Sequence, residues 1–195
     1  MTVRVPLAEF RALPLEAHAL LADVPLRDVS AIDLPGGGTS RTLSDIRALT
    51  PPGGLLQATP VTRALFGLRL WLGRVLGWDR PELDGAGASY LPRVSEDLRA
   101  RSAVAPGTME EGFRLLYLLG GESLSEIRNA TAHAFLCAAL RPSPDGYRLY
   151  WGIYVKSTSW LTPIYMALIE PFRRLLVYPA MLARLRRAWI ARYHR

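Results

Sequence analysis

The sequence predicts a segregated α+β protein, in which a curved antiparallel sheet grips a long C-terminal helix. Three observations carry this reading. Residues 113–157 form four runs of strand character separated by strong turn signals. The last 36 residues, Trp160 to Arg195, repeat apolar side chains at helical spacing. Helical periods otherwise fall between one early strand and the antiparallel run, so strands and helices do not alternate as in a βαβ protein.

The 195 residues suit one domain, 1–195, with residues 1–25 as an N-terminal extension and 160–193 as the long helix. Half of the residues are hydrophobic, enough for a sizeable core. The single cysteine, Cys137, excludes an internal disulfide framework and fits a reducing, cytoplasmic setting. The first twenty residues show no basic stretch followed by an unbroken apolar run, so no secretory signal is expected.

Taken in order, the run to Ala22 has no clear period. Asp28 to Leu34 alternates like a half-buried strand and ends at Gly36, Gly37 and Gly38. These glycines are read as a turn. No Gly-Lys-Ser/Thr follows, so they do not form a phosphate loop. Ser40 to Leu49 predicts a short helix with Leu43, Ile46 and Leu49 on one side, ended by Pro51, Pro52, Gly53 and Gly54. A second helix follows from Pro60, with Leu65, Leu68, Leu72, Val75 and Leu76 on its apolar face. Residues 82–108 read as a loop with one helical turn near Ser95 to Arg101, which Ser95 caps.

Four strands are then predicted: Phe113–Leu119, Ser123–Asn129, Thr131–Leu140 and Tyr147–Ser157. Gly120-Gly121 and the run Pro142 to Gly146 are hairpin signals, so the four form a meander. Thr162-Pro163 supplies a cap and first-turn proline for the long helix. Its stripe, Ile164, Leu168, Phe172, Leu175, Leu182, Leu185 and Trp189, is expected to face the sheet, with bends at Pro171 and Pro179.

The strings GYRLYWGIYVKSTSWLTPIYMALIEPFRRLLVYPAML, RALFGLRLWLGRVLGWDRP, SYLPRVSEDLRARS and FRLLYLLGGESLSEIRNATAHAFL resemble a bacterial family known as domain of unknown function 2867. The resemblance spans roughly residues 20 to 190, and the Pro-Phe-Arg-Arg and Tyr-Pro pieces of the tail are its most specific part. It implies a relationship to the SRPBCC, or START-like, helix-grip superfamily. Members of that superfamily often hold a hydrophobic ligand between sheet and long helix, and include cyclases, aromatases, carriers and hydroxylase subunits. Many relatives have more acidic residues ahead of the motif histidine than the Asn129-Ala130-Thr131-Ala132-His133 run found here.

Glu126, Asn129 and His133 form the one compact polar constellation of the β half. Residues two apart on a strand share a face, so Asn129, Thr131, His133, Phe135 and Cys137 are expected to point together. If they line a cavity, it is apolar with a few hydrogen-bonding groups, as ligand sites usually are. Trp151, Tyr154, Tyr165 and Phe172 complete the expected ligand-binding set. His133 with Glu126 is the candidate acid–base pair. A histidine hydrogen-bonded within the sheet satisfies the same sequence equally well. Cys137 reads as a buried inert thiol. The three histidines, His18, His133 and His194, lack metal-ligand spacing and no Cys-x-x-Cys exists, so neither metal nor cofactor is expected.

Trp160 to Arg195 holds seven arginines against the single carboxylate Glu170, a net +6 of the chain's +7. Glu170, Arg173 and Arg174 interrupt it too severely for a membrane-spanning helix. The arginines read as the wet side of a packed helix. Weak attraction to an anionic membrane surface is the second reading, and no nucleic-acid partner is expected. The expected partner is a small hydrophobic ligand, bound by a protein without catalytic activity. A cyclase- or aromatase-like enzyme using the same cavity is the alternative.

Overall fold

The computed structural model describes residues 3–50, 67, 88–110, 112–129, 132–157 and 173–193. The elements in chain order are β1 (Val3–Arg4), α1 (Leu7–Arg11), α2 (Glu16–Leu20), β2 (Leu26–Pro35), α3 (Leu43–Ala48) and α4 (Glu96–Arg101). They continue with β3 (Met109–Glu110), β4 (Phe113–Leu118), β5 (Glu122–Asn129), β6 (Ala132–Ser143), β7 (Gly146–Ser157) and α5 (Tyr178–Tyr193). The helix predicted from Pro60 lies outside the described residues.

The strands form one sheet in the order β1-β2-β7-β6-β5-β4-β3, with every neighbouring pair antiparallel. β4 to β7 are the expected meander, the short β3 adds to its edge, and β2 pairs along β7 from Leu26↔Tyr154 to Pro35↔Gly146. Gly146, at φ 145°, lets the β6–β7 hairpin meet the end of β2. A Cβ there would lie 2.4 Å from the Leu34 carbonyl oxygen.

Both faces of the sheet are covered. On one face α1, α2 and the segment 90–98 pack Phe10, Ala17, Leu21, Tyr90, Val94 and Leu98 against Val29, Leu124, Phe135, Cys137 and Tyr154. On the other, α3 and α5 pack Leu43, Ile46, Met181, Leu182, Leu185 and Trp189 against Ile32, Leu34, Leu140, Leu149 and Ile153. We call these the N-terminal face and the helix face. The period of two along β6 explains the division: Phe135, Cys137 and Ala139 serve the first, and Ala138 and Leu140 the second. In β4 a register shift between Leu115 and Tyr117 breaks the period, which is how Leu116 and Tyr117 both join the N-terminal-face core.

The caps follow from sequence. Ser95 Oγ accepts the Leu98 amide at 3.3 Å, as its place before Glu96 and Asp97 predicts. The Asp45 carboxylate accepts the Thr42 amide at 2.8 Å at the start of α3.

The terminal helix departs from expectation in one respect. A π turn, Arg173–Val177, precedes α5. Pro179 stands in the first turn of α5, where its missing N–H disturbs the preceding ladder, and a π turn is one way a helix absorbs this. The turn also shifts the helical phase. Leu182, Leu185 and Trp189 are buried as predicted, but Leu175 is 74 % exposed rather than facing the sheet. Tyr178 and Met181 fill the stripe instead. Ile164, Leu168, Pro171 and Phe172 lie outside the described residues. Arg184, Arg187 and Arg192 are exposed, which matches the wet-side reading, while Arg186 Nε reaches back to the Asp33 carbonyl oxygen at 3.0 Å. No helix among the described residues is long and apolar enough to cross a membrane.

Candidate functional site

Three buried charged or polar side chains, Glu122, Glu126 and His133, gather on the N-terminal face. Glu122 and Glu126 stand four apart on β5, so both carboxylates point to that face, with Leu124 between them. Glu126 and His133 sit diagonally across β5 and β6, since the register pairs Glu126 with Phe135 and Arg128 with His133.

Glu126 and His133 are each 1 % exposed, and His133 Nε2 lies 2.9 Å from Glu126 Oε2. A carboxylate only accepts, so the imidazole donates. The same Oε2 accepts the Tyr90 amide at 3.0 Å, and Oε1 accepts the Ser89 hydroxyl. Burial alone drives the Glu126 carboxyl upward. The hydrogen bonds from His133, Ser89 and the Tyr90 amide outweigh it, and the net shift is downward. The His133 ring stacks on Phe135 with centroids 4.3 Å apart and meets Tyr90 edge-on at 5.2 Å.

This buried pair continues to the surface through Tyr90. The Tyr90 hydroxyl donates to Asp23 at 2.7 Å and accepts from Lys156 Nζ at 3.0 Å. Arg93 contacts Asp23 at 2.8 Å and lies 3.7 Å over the Tyr90 ring. Hydrogen bonds from Arg93 and Tyr90, and to a lesser degree from Lys156, hold the Asp23 carboxyl far below the usual carboxylate range.

A second set lies farther along the same face. Glu122 accepts the Ala17 amide at 2.8 Å, the Glu16 amide at 3.0 Å and the Tyr117 hydroxyl at 2.5 Å. It thereby satisfies the otherwise unpaired first amides of α2. Burial pushes the Tyr117 hydroxyl up, and the Glu122 charge adds to this. His18 Nε2 donates to the Phe10 carbonyl at 3.1 Å, which leaves Nδ1 to accept the Tyr154 hydroxyl at 2.8 Å. Cys137 is buried between these groups, and burial pushes its thiol well up, so it is chemically quiet. No cluster of three metal-ligating side chains occurs among the described residues.

The expected ligand-binding set does not converge on one surface. His133, Phe135 and Tyr154 belong to the N-terminal face, away from α5, whereas Trp151 packs on the helix face. Asn129 and His133 fall on different strands, with Asn129 paired to Ala132, so a single period does not carry from one to the other. Thr131, Tyr165 and Phe172 lie outside the described residues. The reading of residues 82–108 as a loop gave no hint that Ser89, Tyr90 and Arg93 would cover the pair. Glu122 did carry a signal, as a carboxylate in phase with Glu126 on an apolar strand face.

The fold and these buried polar contacts define an α+β protein whose seven-stranded antiparallel sheet is covered on both sides. The chain belongs to the family described as Protein of unknown function (DUF2867), whose model matches residues 20–180. No curated protein and no solved structure matches it. The family match stops short of most of α5 and of α1, so Phe10 and Trp189, two of the largest buried side chains, lie beyond it.

Proposed function

We propose that this chain is a helix-grip protein of the SRPBCC, START-like kind, and that it holds a small hydrophobic molecule against the helix face of its sheet. The observation that carries the proposal is the make-up of that face. α5 lies along β2, while the β6–β7 floor beside it offers the small side chains Ala134 and Ala138 with the half-buried Leu136 and Trp151. An apolar floor of small and aromatic side chains is what a hydrophobic ligand needs. Strand order, antiparallel pairing and a terminal helix packed on the sheet are compatible with the helix-grip architecture. The single buried cysteine suits a reducing, cytoplasmic compartment.

Native mass spectrometry of the purified protein is expected to show a bound apolar compound, and a solvatochromic apolar probe should bind saturably. Trp151→Ala should weaken that binding with the far-UV spectrum unchanged. Absence of both bound compound and saturable binding would overturn the proposal.

The 2.9 Å Glu126–His133 pair favours a second reading, a cyclase- or aromatase-like enzyme. Its weakness is access: both groups are sealed beneath Tyr90 at 1 % exposure. His133→Ala separates the two readings. An enzyme loses turnover in proportion to the lost base, whereas a carrier loses stability and keeps its ligand.

A further inference from the structure

The exposed side of the terminal helix combines exposed leucines with exposed arginines. Leu175 and Leu176, in the π turn, are 74 % and 43 % exposed. Beyond them, the outer side of α5 presents Ala183, Arg187, Ala191 and Arg192, all exposed, and α5 contains no carboxylate at all. The two leucines follow Arg173 and Arg174 directly in sequence.

We infer that this side of the molecule is a docking surface for an anionic lipid bilayer, with Leu175 and Leu176 entering the headgroup region and the arginines facing lipid phosphates. The charge pattern selects this occupant. Trp160 to Arg195 carries +6 of the chain's +7, so the attraction is concentrated at one end of the sequence. A second copy of the chain would set this basic side against another basic side, and like charges repel. A nucleic-acid backbone would satisfy the arginines but leave the two leucines without an apolar partner. The bilayer interface takes both: basic side chains at the phosphates and apolar ones at the acyl boundary. The alanines of the exposed side let the helix backbone approach such a surface closely. None of this depends on a ligand beneath the helix.

The experiment is co-sedimentation of the full chain with vesicles of mixed phosphatidylglycerol and phosphatidylcholine, and with pure phosphatidylcholine. Binding is expected to the anionic vesicles, to be weak on the neutral ones, and to fall steeply between about 0.05 and about 0.5 M salt as the charges are screened. Arg187→Gln with Arg192→Gln should lower the partition coefficient on the order of 25-fold, at about fivefold per arginine. Leu175→Ser should lower it on the order of tenfold. All three positions are exposed, so circular dichroism should report an unchanged fold. No sedimentation with anionic vesicles, equal binding to neutral ones, or binding indifferent to these substitutions would overturn the inference. So would a surface that captures duplex DNA or self-associates while ignoring vesicles.

Discussion

Glu126 offers a graded test of the buried polar pair. Its carboxylate accepts from His133, Ser89 and the Tyr90 amide at 1 % exposure. Glu126→Gln keeps the shape and one acceptor oxygen, and the Ser89 hydroxyl can turn to accept from the new amide. What it removes is the charge. Hydrogen bonds to charged groups exceed neutral ones by about 1 kcal/mol each, so the expected cost is about 2–3 kcal/mol. Glu126→Ala instead leaves buried donors unpaired, and the expected cost rises to about 3–5 kcal/mol. Urea denaturation at neutral pH measures both. The pH dependence adds a sign. The folded carboxyl lies below its ordinary 4.5, so its contribution is full above that value. It is lost as the pH falls through the lowered folded value. The difference between wild type and Glu126→Gln should therefore be constant from neutral pH to about pH 5 and shrink below about pH 4. A cost under about 1 kcal/mol, or a difference indifferent to acid, would refute the account of the pair.

Other positions test the packing. Trp189 is fully buried, its indole donates to the Pro35 carbonyl at 2.9 Å, and its ring lies over Gly37. Trp189→Ala should cost about 3–5 kcal/mol and Trp189→Phe distinctly less, read as shifts in thermal midpoint. A Cβ at Gly152 would meet the Phe10 ring at 2.7 Å, and that ring is fully buried. Gly152→Ala should therefore cost about 1–3 kcal/mol in denaturant unfolding, and Phe10→Ala in the same chain should recover part of the overpacking term. Tyr154→Phe removes the hydrogen bond to His18 and should cost about 1 kcal/mol by the same measurement. In hydrogen exchange, the amides of Glu16 and Ala17, held by Glu122, should exchange more slowly than those of the π turn Arg173–Val177.

The meander was legible because its signals are local. Alternation marks each strand, Gly120-Gly121 and the run Pro142 to Gly146 mark the turns, and β4 to β7 fall within a few residues of the predicted bounds. α1 and α2 were not legible: each is five residues long and buries a single side chain, Phe10 and Ala17, so neither completes a helical period. Leu175 failed for a related reason. A stripe of one uniform period puts Leu175 on the sheet, and a π turn changes the phase without a residue type that announces it. For the site, Glu126 and His133 could be paired because only a hairpin separates them. Ser89, Tyr90 and Asp23 could not. Their contacts bridge 36 or more residues, and long-range pairing leaves no trace in a single sequence.

Directional bonds tie the cover to the sheet on both of its faces. On the N-terminal face, directional bonds fix the cover at several places: Glu122 to α2, Glu126 to Ser89 and Tyr90, Tyr154 to His18, and Tyr150 to Glu9 at 2.9 Å. Moving that cover would strand buried donors and acceptors, each costing about 1–3 kcal/mol. On the helix face, α5 is tied by Trp189 to the Pro35 carbonyl, Arg186 to the Asp33 carbonyl and Tyr193 to Asp45. Tyr178 and Met181, nearer the π turn, bury their side chains in the same apolar cluster as Trp189. Apolar contact is nondirectional, so it tolerates a shift or an exchange of partners that a hydrogen-bonded cover does not. The sealed Glu126–His133 pair anchors the N-terminal-face cover to the sheet through Ser89 and Tyr90.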